Sequence, residues 1–207
     1  MSAPLVSIIG PPACGKTTLG EMLAAELPGE LIREDYAGNP FLAESYAGGE
    51  QARLPGQLYF LLSRVSQLWA AHWPAEGVRI SDYGFCQDRI FAEVRLAPGD
   101  LAAYDRVAGP LEAMVRRPDV LVHMDAAEPT LLERIARRGR RFERVMTAEF
   151  LARMRRRYRG ACQAAGCPVI EVDCDRADLR RAEARAKIID AIRATLQSGA
   201  SGCPRKP

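Results

Sequence analysis

Residues 5–18 read LVSIIGPPACGKTT and join three elements in a fixed order. The first five residues are apolar and partly β-branched, which predicts a buried strand. Residues 10–17, GPPACGKT, then have the G-x-x-x-x-G-K-T spacing of a phosphate-binding loop. Leucine and methionine recur at helical spacing from Leu19 to Leu27, so a helix follows. Strand, glycine-rich loop and helix in this order predict a nucleotide-binding P-loop.

Each part of this loop has a chemical purpose. Glycines let the backbone approach phosphates without a Cβ clash, and the helix N-terminus offers N–H donors to an anion. Lys16 adds a mobile positive charge for the β- and γ-phosphates, and the Thr17 hydroxyl can ligate Mg²⁺. The residues predicted to bind ATP are Gly10, Ala13, Cys14, Gly15, Lys16, Thr17 and Thr18.

Composition excludes several classes of protein. The chain has 207 residues, of which 48% are hydrophobic and 27% charged, as in ordinary globular domains. A net charge of +3 is too small to indicate nucleic-acid binding, and no apolar run predicts a membrane span. Six cysteines form no C-x-x-C pair and lie apart from both histidines in sequence, which argues against zinc. With no secretory signal before the strand, we expect a cytoplasmic protein with reduced thiols.

Strand patterns alternate with helix patterns along the whole chain. The predicted strands cover residues 5–9, 30–35, 78–82, 118–124 and 168–172, and the longest predicted helix covers 51–73, with its regular part starting at Gln57. This alternation predicts an α/β fold of three layers, with a five-stranded parallel sheet between helices. We expect one domain over residues 1–197 and a flexible tail over 198–207.

Two carboxylates follow strands that we expect to lie beside the P-loop strand. Ligands of such sheets bind at the carboxyl ends of the strands, where Glu34 and Asp82 fall. One carboxylate could accept a proton from an attacking hydroxyl, and the other could hold Mg²⁺ through water. Either residue could instead be a surface acid at a strand end.

Gln57 and Arg64 lie seven residues apart, which places them on the same face of a helix two turns apart. A glutamine amide can pair with a purine edge through one donor and one acceptor, and arginine can grip an acceptor. The same spacing also fits a solvated polar face opposite the leucine stripe.

An arginine cluster surrounds Gly139. Too few local acids are present to pair with all of it, and guanidinium groups suit phosphates, so we expect an arginine-rich lid over ATP. A second basic run at 153–159 is expected to be a solvated helix face, although both runs together would also suit nucleic acid. The cluster consists of Arg134, Arg137, Arg138, Arg140, Arg141 and Arg144.

Five stretches together resemble a known family. They are GPPACGKTT, the E-x4-NPFL of residues 34–42, QLYFLLSR at 57–64, SDY with DRIFA between 81 and 92, and RIARRGRRFE at 134–143. The chain resembles the deoxynucleoside kinases, in particular the bacterial deoxyadenosine/deoxyguanosine kinase branch, over about residues 5–180. The resemblance implies a P-loop kinase fold, a homodimer, and phosphoryl transfer from ATP–Mg²⁺ to the 5′-hydroxyl of a deoxynucleoside.

The resemblance also implies individual roles. Glu34 matches the general base, Gln57 the glutamine that reads the nucleobase, and Arg64 the arginine beside it. Tyr46 and Glu143 match the pair that holds the sugar 3′-hydroxyl. The lid arginines match Arg134, Arg138 and Arg140.

The chain departs from the family pattern after the third strand. Many members carry an acid-Arg-Ser triplet where this chain has Ser81-Asp82-Tyr83, which leaves the role of Asp82 open. The departure also leaves open whether Gln87 or Asp88 faces the nucleobase, and we favour Asp88.

The predicted activity is therefore ATP-dependent 5′-phosphorylation of a purine deoxynucleoside. Gln57 would donate to N7 of adenine and accept from its 6-amino group, while Arg64 would suit the N7 and O6 acceptors of guanine. A nucleoside monophosphate kinase, or another small-molecule P-loop kinase, is the alternative enzyme and would need a second phosphate site. The alternative outside enzymes is a nucleotide-binding regulator or nucleic-acid-binding protein. The residues do not rank the purine bases, and they do not identify a feedback inhibitor.

Overall fold

A computed structural model describes residues 2–200. Its sheet has five strands in the order β2-β3-β1-β4-β5, and every neighbouring pair is parallel. The strands are β1 (Leu5–Ile9), β2 (Gly29–Ile32), β3 (Val78–Ser81), β4 (Val120–Asp125) and β5 (Val169–Asp173). The five-stranded parallel sheet predicted from the sequence is thus confirmed. Because β1 has later strands on both sides, its carboxyl end opens into the crevice where parallel sheets bind ligands.

Eight α-helices cover the sheet among the described residues. They are α1 (Lys16–Glu26), α2 (Leu42–Tyr46), α3 (Arg53–Gln67), α4 (Cys86–Arg95), α5 (Pro98–Glu112), α6 (Glu128–Arg138), α7 (Ala148–Gln163) and α8 (Ala182–Ala200). Short 3-10 helices cover Glu50–Ala52, Ala70–His72 and Arg141–Val145. None of these helices has the length and apolarity that a membrane span requires.

Side-chain alternation along β1 explains the three layers. Val6 and Ile8 pack into a core with α1, α6 and α8, whereas Leu5 packs against α3 and α5 and Ile9 against α4 and α7. All five residues of β1 are buried, as expected for a strand covered on both faces. The predicted three-layer arrangement therefore follows from a strand that is apolar on both sides.

The long helix predicted over residues 51–73 is interrupted. The structure has a 3-10 turn, then α3, and then an extended link in which Trp69 bridges Val115. The α-helix ends at Gln67 because the backbone beyond it pairs with the chain after α5, with Ala70 N donating to Met114 O at 2.9 Å. The helix also begins before Gln57, since Pro55 lies in its first turn, where no N–H is required.

Several strand boundaries differ by one or two residues, and the ends of β2 and α8 differ from the sequence prediction in ways that affect the site and the tail. β2 ends at Ile32, so Glu34 lies in the loop after the strand. α8 continues to Ala200, so the predicted tail over 198–207 does not begin at Ser198, whose Oγ donates to Ala194 O at 3.0 Å. Residues 201–207 lie outside the described part of the chain.

Candidate active site

The P-loop curls at the carboxyl end of β1. Gly10 has a φ of 148°, and a Cβ there would stand 2.1 Å from the Met124 carbonyl oxygen at the end of β4. Only glycine fits that approach. The Lys16 ammonium donates to Gly10 O at 2.8 Å and to Pro11 O at 3.0 Å, so its charge lies over the loop that the sequence assigned to phosphates.

Asp82 joins the P-loop to the loop that carries Glu34. Its Oδ2 accepts from the Thr17 hydroxyl at 2.6 Å, and its Oδ1 accepts from the Glu34 N–H at 2.8 Å. The two acids expected at neighbouring strand ends are therefore brought together. A hydroxyl and a carboxylate at one point are the hard oxygen ligands that Mg²⁺ prefers, so this donor set fits the metal that the sequence predicted.

Glu34 is anchored from two sides. Its Oε1 accepts from the Arg64 guanidinium and, at 3.0 Å, from Gln87 Nε2, while a quarter of the side chain stays exposed. Arg64 is buried between the rings of Phe60 and Tyr83. The carboxylate is therefore oriented by its partners but open to the cavity.

The second partner of Arg64 is Asp88, whose position differs from the one expected from the sequence. Asp88 is 1% exposed and does not line the cavity, whereas Gln57 and Gln87 do. Successive residues of a helix point about 100° apart, so α4 directs Gln87 to the cavity and Asp88 towards α3 and α5. In this structure the Asp88 carboxylate therefore lies behind the wall beside Arg64, and Gln87, the alternative, lies on the cavity side.

A cavity of about 740 Å³ runs from the P-loop to this wall. Gly10 and Asp88 do not line it. The predicted site residues that do line it are Ala13, Cys14, Gly15, Lys16, Thr17, Thr18, Glu34, Tyr46, Gln57, Arg64, Asp82, Arg134, Arg138, Arg140 and Glu143.

Glu143 has one engaged and one unpartnered carboxylate oxygen. Oε1 accepts from Arg138 at 2.6 Å and weakly from Arg140 at 3.5 Å, whereas Oε2 is buried with no partner in the described chain. Burial raises the pKa of this carboxyl, and the nearby Arg140 charge opposes the rise. A buried acceptor without a partner is uncommon, so the hydrogen bonds of Glu143 are incomplete in this conformation.

Tyr46 lines the same cavity, as expected. Its ring centroid lies 5.6 Å from that of Phe142, and the Arg95 guanidinium lies 3.7 Å from the Tyr46 ring centroid. Burial raises the pKa of its hydroxyl, which therefore stays protonated and can donate at neutral pH.

Arg134 occupies a different position from the other two lid arginines. Its Nη2 donates to Cys174 O at 2.8 Å and its Nη1 to Cys14 O at 3.4 Å. It thus fastens the P-loop to the segment after β5. Arg140, by contrast, lies over the Tyr36 ring at 3.9 Å.

On α4, sequence reasoning named Gln87 only as an alternative to Asp88, and it missed Phe91 and Arg95. Gln87, Phe91 and Arg95 all line the cavity, at i, i+4 and i+8 of the helix. That spacing was a readable signal. Residues 174–180 also line the cavity, but no motif in the sequence marks them.

One histidine and one cysteine that lie far apart in the sequence are close together in the structure. Sequence spacing separated them, but the structure gathers His123, Cys162 and Glu171 so that potential ligand atoms lie within 4.8 Å of one another. His123 Nδ1 already shares a hydrogen bond of 2.6 Å with Glu171.

Comparison with known proteins gives consistent matches. The family model described as deoxynucleoside kinase matches residues 6–197. A deoxyguanosine kinase of Bacillus subtilis is 33% identical over 156 residues, which cover 74% of this chain and 75% of that protein. A deoxyadenosine/deoxycytidine kinase of the same organism is 27% identical over 202 residues, or 93% of each chain.

Solved structures agree on the fold. The deoxyadenosine kinase of M. mycoides with bound dATP superposes with a TM-score of 0.79, covering 92% of this chain and 99% of that one, at 20% sequence identity. At that identity the match concerns the fold alone.

Proposed function

The chain belongs to the deoxynucleoside kinase family, and on that premise we propose that it transfers the γ-phosphoryl group of ATP to the 5′-hydroxyl of a deoxynucleoside. One observation carries the proposal. Glu34, held by Arg64 and Gln87, opens into a single cavity that the P-loop also lines. A base and a phosphate-binding loop in one cavity are what a direct transfer to a hydroxyl needs.

In the proposed mechanism, Glu34 orients the 5′-hydroxyl and accepts its proton as the phosphoryl group is transferred. Lys16 leaves its loop carbonyls to pair with the phosphates, and Arg138 and Arg140 stabilise negative charge from the lid side. Thr17 and Asp82 would hold Mg²⁺, which when bound neutralises phosphate charge. Positioning and electrostatics therefore account for most of the catalysis.

The sugar and the base are proposed to occupy opposite walls. The Glu143 carboxylate accepts from the 3′-hydroxyl, and Tyr46 lines the same part of the proposed sugar site. Gln57, Gln87 and Arg64, which line the cavity, would contact the nucleobase. Relatives named as deoxyguanosine and deoxyadenosine kinases support a purine preference, and one relative's name also includes deoxycytidine.

A nucleoside monophosphate kinase is less well supported. It would need a cation to bind a second phosphate near Gln57, and the cation there is Arg64. Arg64 is already paired with Glu34 and Asp88, so little of its charge is available.

Nucleic-acid binding through the second basic run is also less well supported. Arg155 pairs with Asp125 and Glu128, and Arg157 pairs with Glu93. These acids neutralise much of the helix face that would contact a phosphate backbone.

We further propose a cytoplasmic homodimer. The five described cysteines are all free thiols, which fits a reducing compartment that supplies ATP. Leu62 and Val107, on the neighbouring helices α3 and α5, are 56% and 41% exposed and would suit a protein interface.

The test is a radiolabelled ATP assay across the four deoxynucleosides, their ribonucleosides and their monophosphates. We expect transfer to deoxyadenosine or deoxyguanosine to be fastest. Faster transfer to the monophosphates would overturn the proposal, and faster transfer to thymidine would overturn the purine preference.

A further inference from the structure

Two hydrogen bonds in series connect α7 with Glu34. The Tyr158 hydroxyl of α7 donates to Gln87 Oε1 at 2.9 Å, and Gln87 Nε2 of α4 donates to Glu34 Oε1 at 3.0 Å. Gln87 and Glu34 line the cavity, whereas Tyr158 lies behind its wall. The Tyr158 hydroxyl therefore acts on the Glu34 carboxylate through the Gln87 amide and not by direct contact.

The Tyr158 ring has a fixed position in the core. It is 0% exposed and packs in one cluster with Ile9, Leu121 and Met154. The His123 ring stacks on it, with the two ring centroids 6.3 Å apart. Burial raises the pKa of the Tyr158 hydroxyl well above its ordinary value, so this group stays protonated and can donate.

The two hydrogen bonds determine the orientation of the Gln87 amide. Its oxygen faces a hydroxyl that donates, and its nitrogen faces a carboxylate, which only accepts when ionised. In the reversed orientation the amide oxygen would face the Glu34 carboxylate, and two acceptors would meet without a proton between them. Gln87 is 2% exposed, so water offers little substitute for either partner.

Both donors to Glu34 engage the same carboxylate oxygen. Arg64 and Gln87 donate to Oε1, from α3 and α4 respectively. Oε2 has no hydrogen-bond partner within residues 2–200, and it is not among the buried polar atoms without one, so it faces the cavity that Glu34 lines. Two donors that arrive from different helices thus define which oxygen of Glu34 is left to accept a proton.

We propose that Tyr158 is a positioning residue for the proton-accepting carboxylate, since its hydroxyl holds the Gln87 amide that holds Glu34. Without this hydroxyl the Gln87 oxygen would be a buried acceptor without a donor, and the amide would lose one of its two anchors. The Glu34 carboxylate would then be less well oriented toward the substrate hydroxyl. The inference rests on the proposed deoxynucleoside kinase activity.

The experiment begins with Tyr158→Phe, which keeps the ring and removes only the hydroxyl. We expect kcat for deoxynucleoside phosphorylation to fall by about tenfold, while the KM for the deoxynucleoside changes by less than about twofold, because orientation of the base affects the transfer step. Tyr83→Phe is the matched control. Tyr83 is also fully buried and its hydroxyl donates to a glutamine oxygen, that of Gln67, which does not contact Glu34.

A double-mutant cycle separates positioning from a general structural role. In a Glu34→Gln background the proton acceptor is already absent, so adding Tyr158→Phe should change kcat by less than about twofold. A tenfold loss in both backgrounds would show that Tyr158 supports the fold and not the carboxylate, and it would overturn the proposal. An unchanged kcat in the single variant Tyr158→Phe would overturn it as well.

Gln87→Met gives a second test that does not depend on the folding of Tyr158→Phe. Methionine has nearly the same shape as glutamine but lacks both hydrogen bonds, so we expect kcat to fall by about tenfold or more. Adding Tyr158→Phe to Gln87→Met should have little further effect on kcat, and a full additional loss would show that Tyr158 acts by another route. If the native protein phosphorylates no deoxynucleoside, the proposed function fails instead, which is a distinct result.

Discussion

At the residue scale, Lys16 makes its contacts with its own loop and not with the core side chains. Its ammonium bonds only the carbonyls of its own loop and, weakly at 3.9 Å, the Cys14 sulfur. The side chain is therefore available to a phosphate without any change in the sheet. Its function and its contribution to folding can be separated by experiment.

We predict that Lys16→Ala lowers kcat for deoxynucleoside phosphorylation on the order of 10²-fold or more, because a cation facing the transferred group is lost. The melting temperature should stay close to that of the native protein. The control is Lys187→Ala, which removes an exposed lysine from α8. Near-normal kcat in Lys16→Ala would contradict the phosphate role.

Glu34 differs from Lys16 because the position of its carboxylate depends on several neighbouring side chains. We predict that Glu34→Gln lowers kcat on the order of 10²-fold or more while the KM for the nucleoside changes little, since the amide keeps the shape but removes the base. Glu30→Gln, at an exposed position before it, serves as the control. A change in KM alone would make Glu34 a binding residue rather than a base.

Whole elements are coupled across the active site by Arg134. This side chain of α6 connects the carbonyl of Cys14 in the P-loop with that of Cys174 after β5. Residues 174–180, which follow that contact, line the same cavity as the P-loop. Arg134 therefore sets the spacing of two walls rather than pointing at one phosphate in this conformation.

We predict that Arg134→Ala raises the KM for ATP by about tenfold or more, because two hydrogen bonds of a charged group are lost. The KM for the deoxynucleoside should change much less. Arg144→Ala, an exposed arginine of the lid segment, is the matched control. Equal changes in both KM values would show a general structural role instead.

At the scale of the whole molecule, exposed apolar residues on α3 and α5 lead to a prediction about assembly. We expect sedimentation to show a homodimer at micromolar concentration, and we expect Leu62→Glu with Val107→Glu to weaken it, because charges would be buried in the interface. Val145→Glu is the control, since Val145 is as exposed as Leu62 but lies in the 3-10 helix Arg141–Val145 rather than on α3 or α5. A native monomer would refute the dimer, and a dimer that survives both changes would place the interface elsewhere.

Two thiols, the half-buried Cys162 and the buried Cys174, lead to a second prediction for the molecule as a whole. Burial raises the pKa of Cys162 and Cys174 from 9.0 to about 12. The contribution of these two thiols to the free energy of unfolding is complete below pH 9, because the thiols are then protonated in both the folded and the unfolded state. It is lost as the pH rises through about 12, since only the unfolded state releases these protons in between. We expect denaturant titrations to show that the free energy of unfolding falls between pH 9 and about 12. The fall should be less steep in the double variant Cys162→Ser with Cys174→Ser. The same pH dependence in the native protein and the double variant would contradict this prediction.

Local sequence patterns were enough to predict most elements of the fold and part of the candidate active site. Residues 5–18 specify strand, loop and helix, because glycine spacing and apolar periodicity act over a few residues at a time. The alternation of elements determined the parallel sheet, and position at strand ends brought Glu34 and Asp82 to one place. Seven-residue spacing put Gln57 and Arg64 on one helix face that reaches the cavity.

Contacts between segments distant in sequence decided the rest. α3 stops at Gln67 because the following backbone pairs with the chain beyond α5, and Arg134 turns from the lid to two carbonyls that lie 120 and 40 residues away. Gln87 rather than Asp88 faces the cavity because Arg64 and Tyr104 supply partners for a buried carboxylate. A sequence shows which side chains can donate or accept, but a hydrogen bond is directional and short, so its partner is fixed only when the chain has folded.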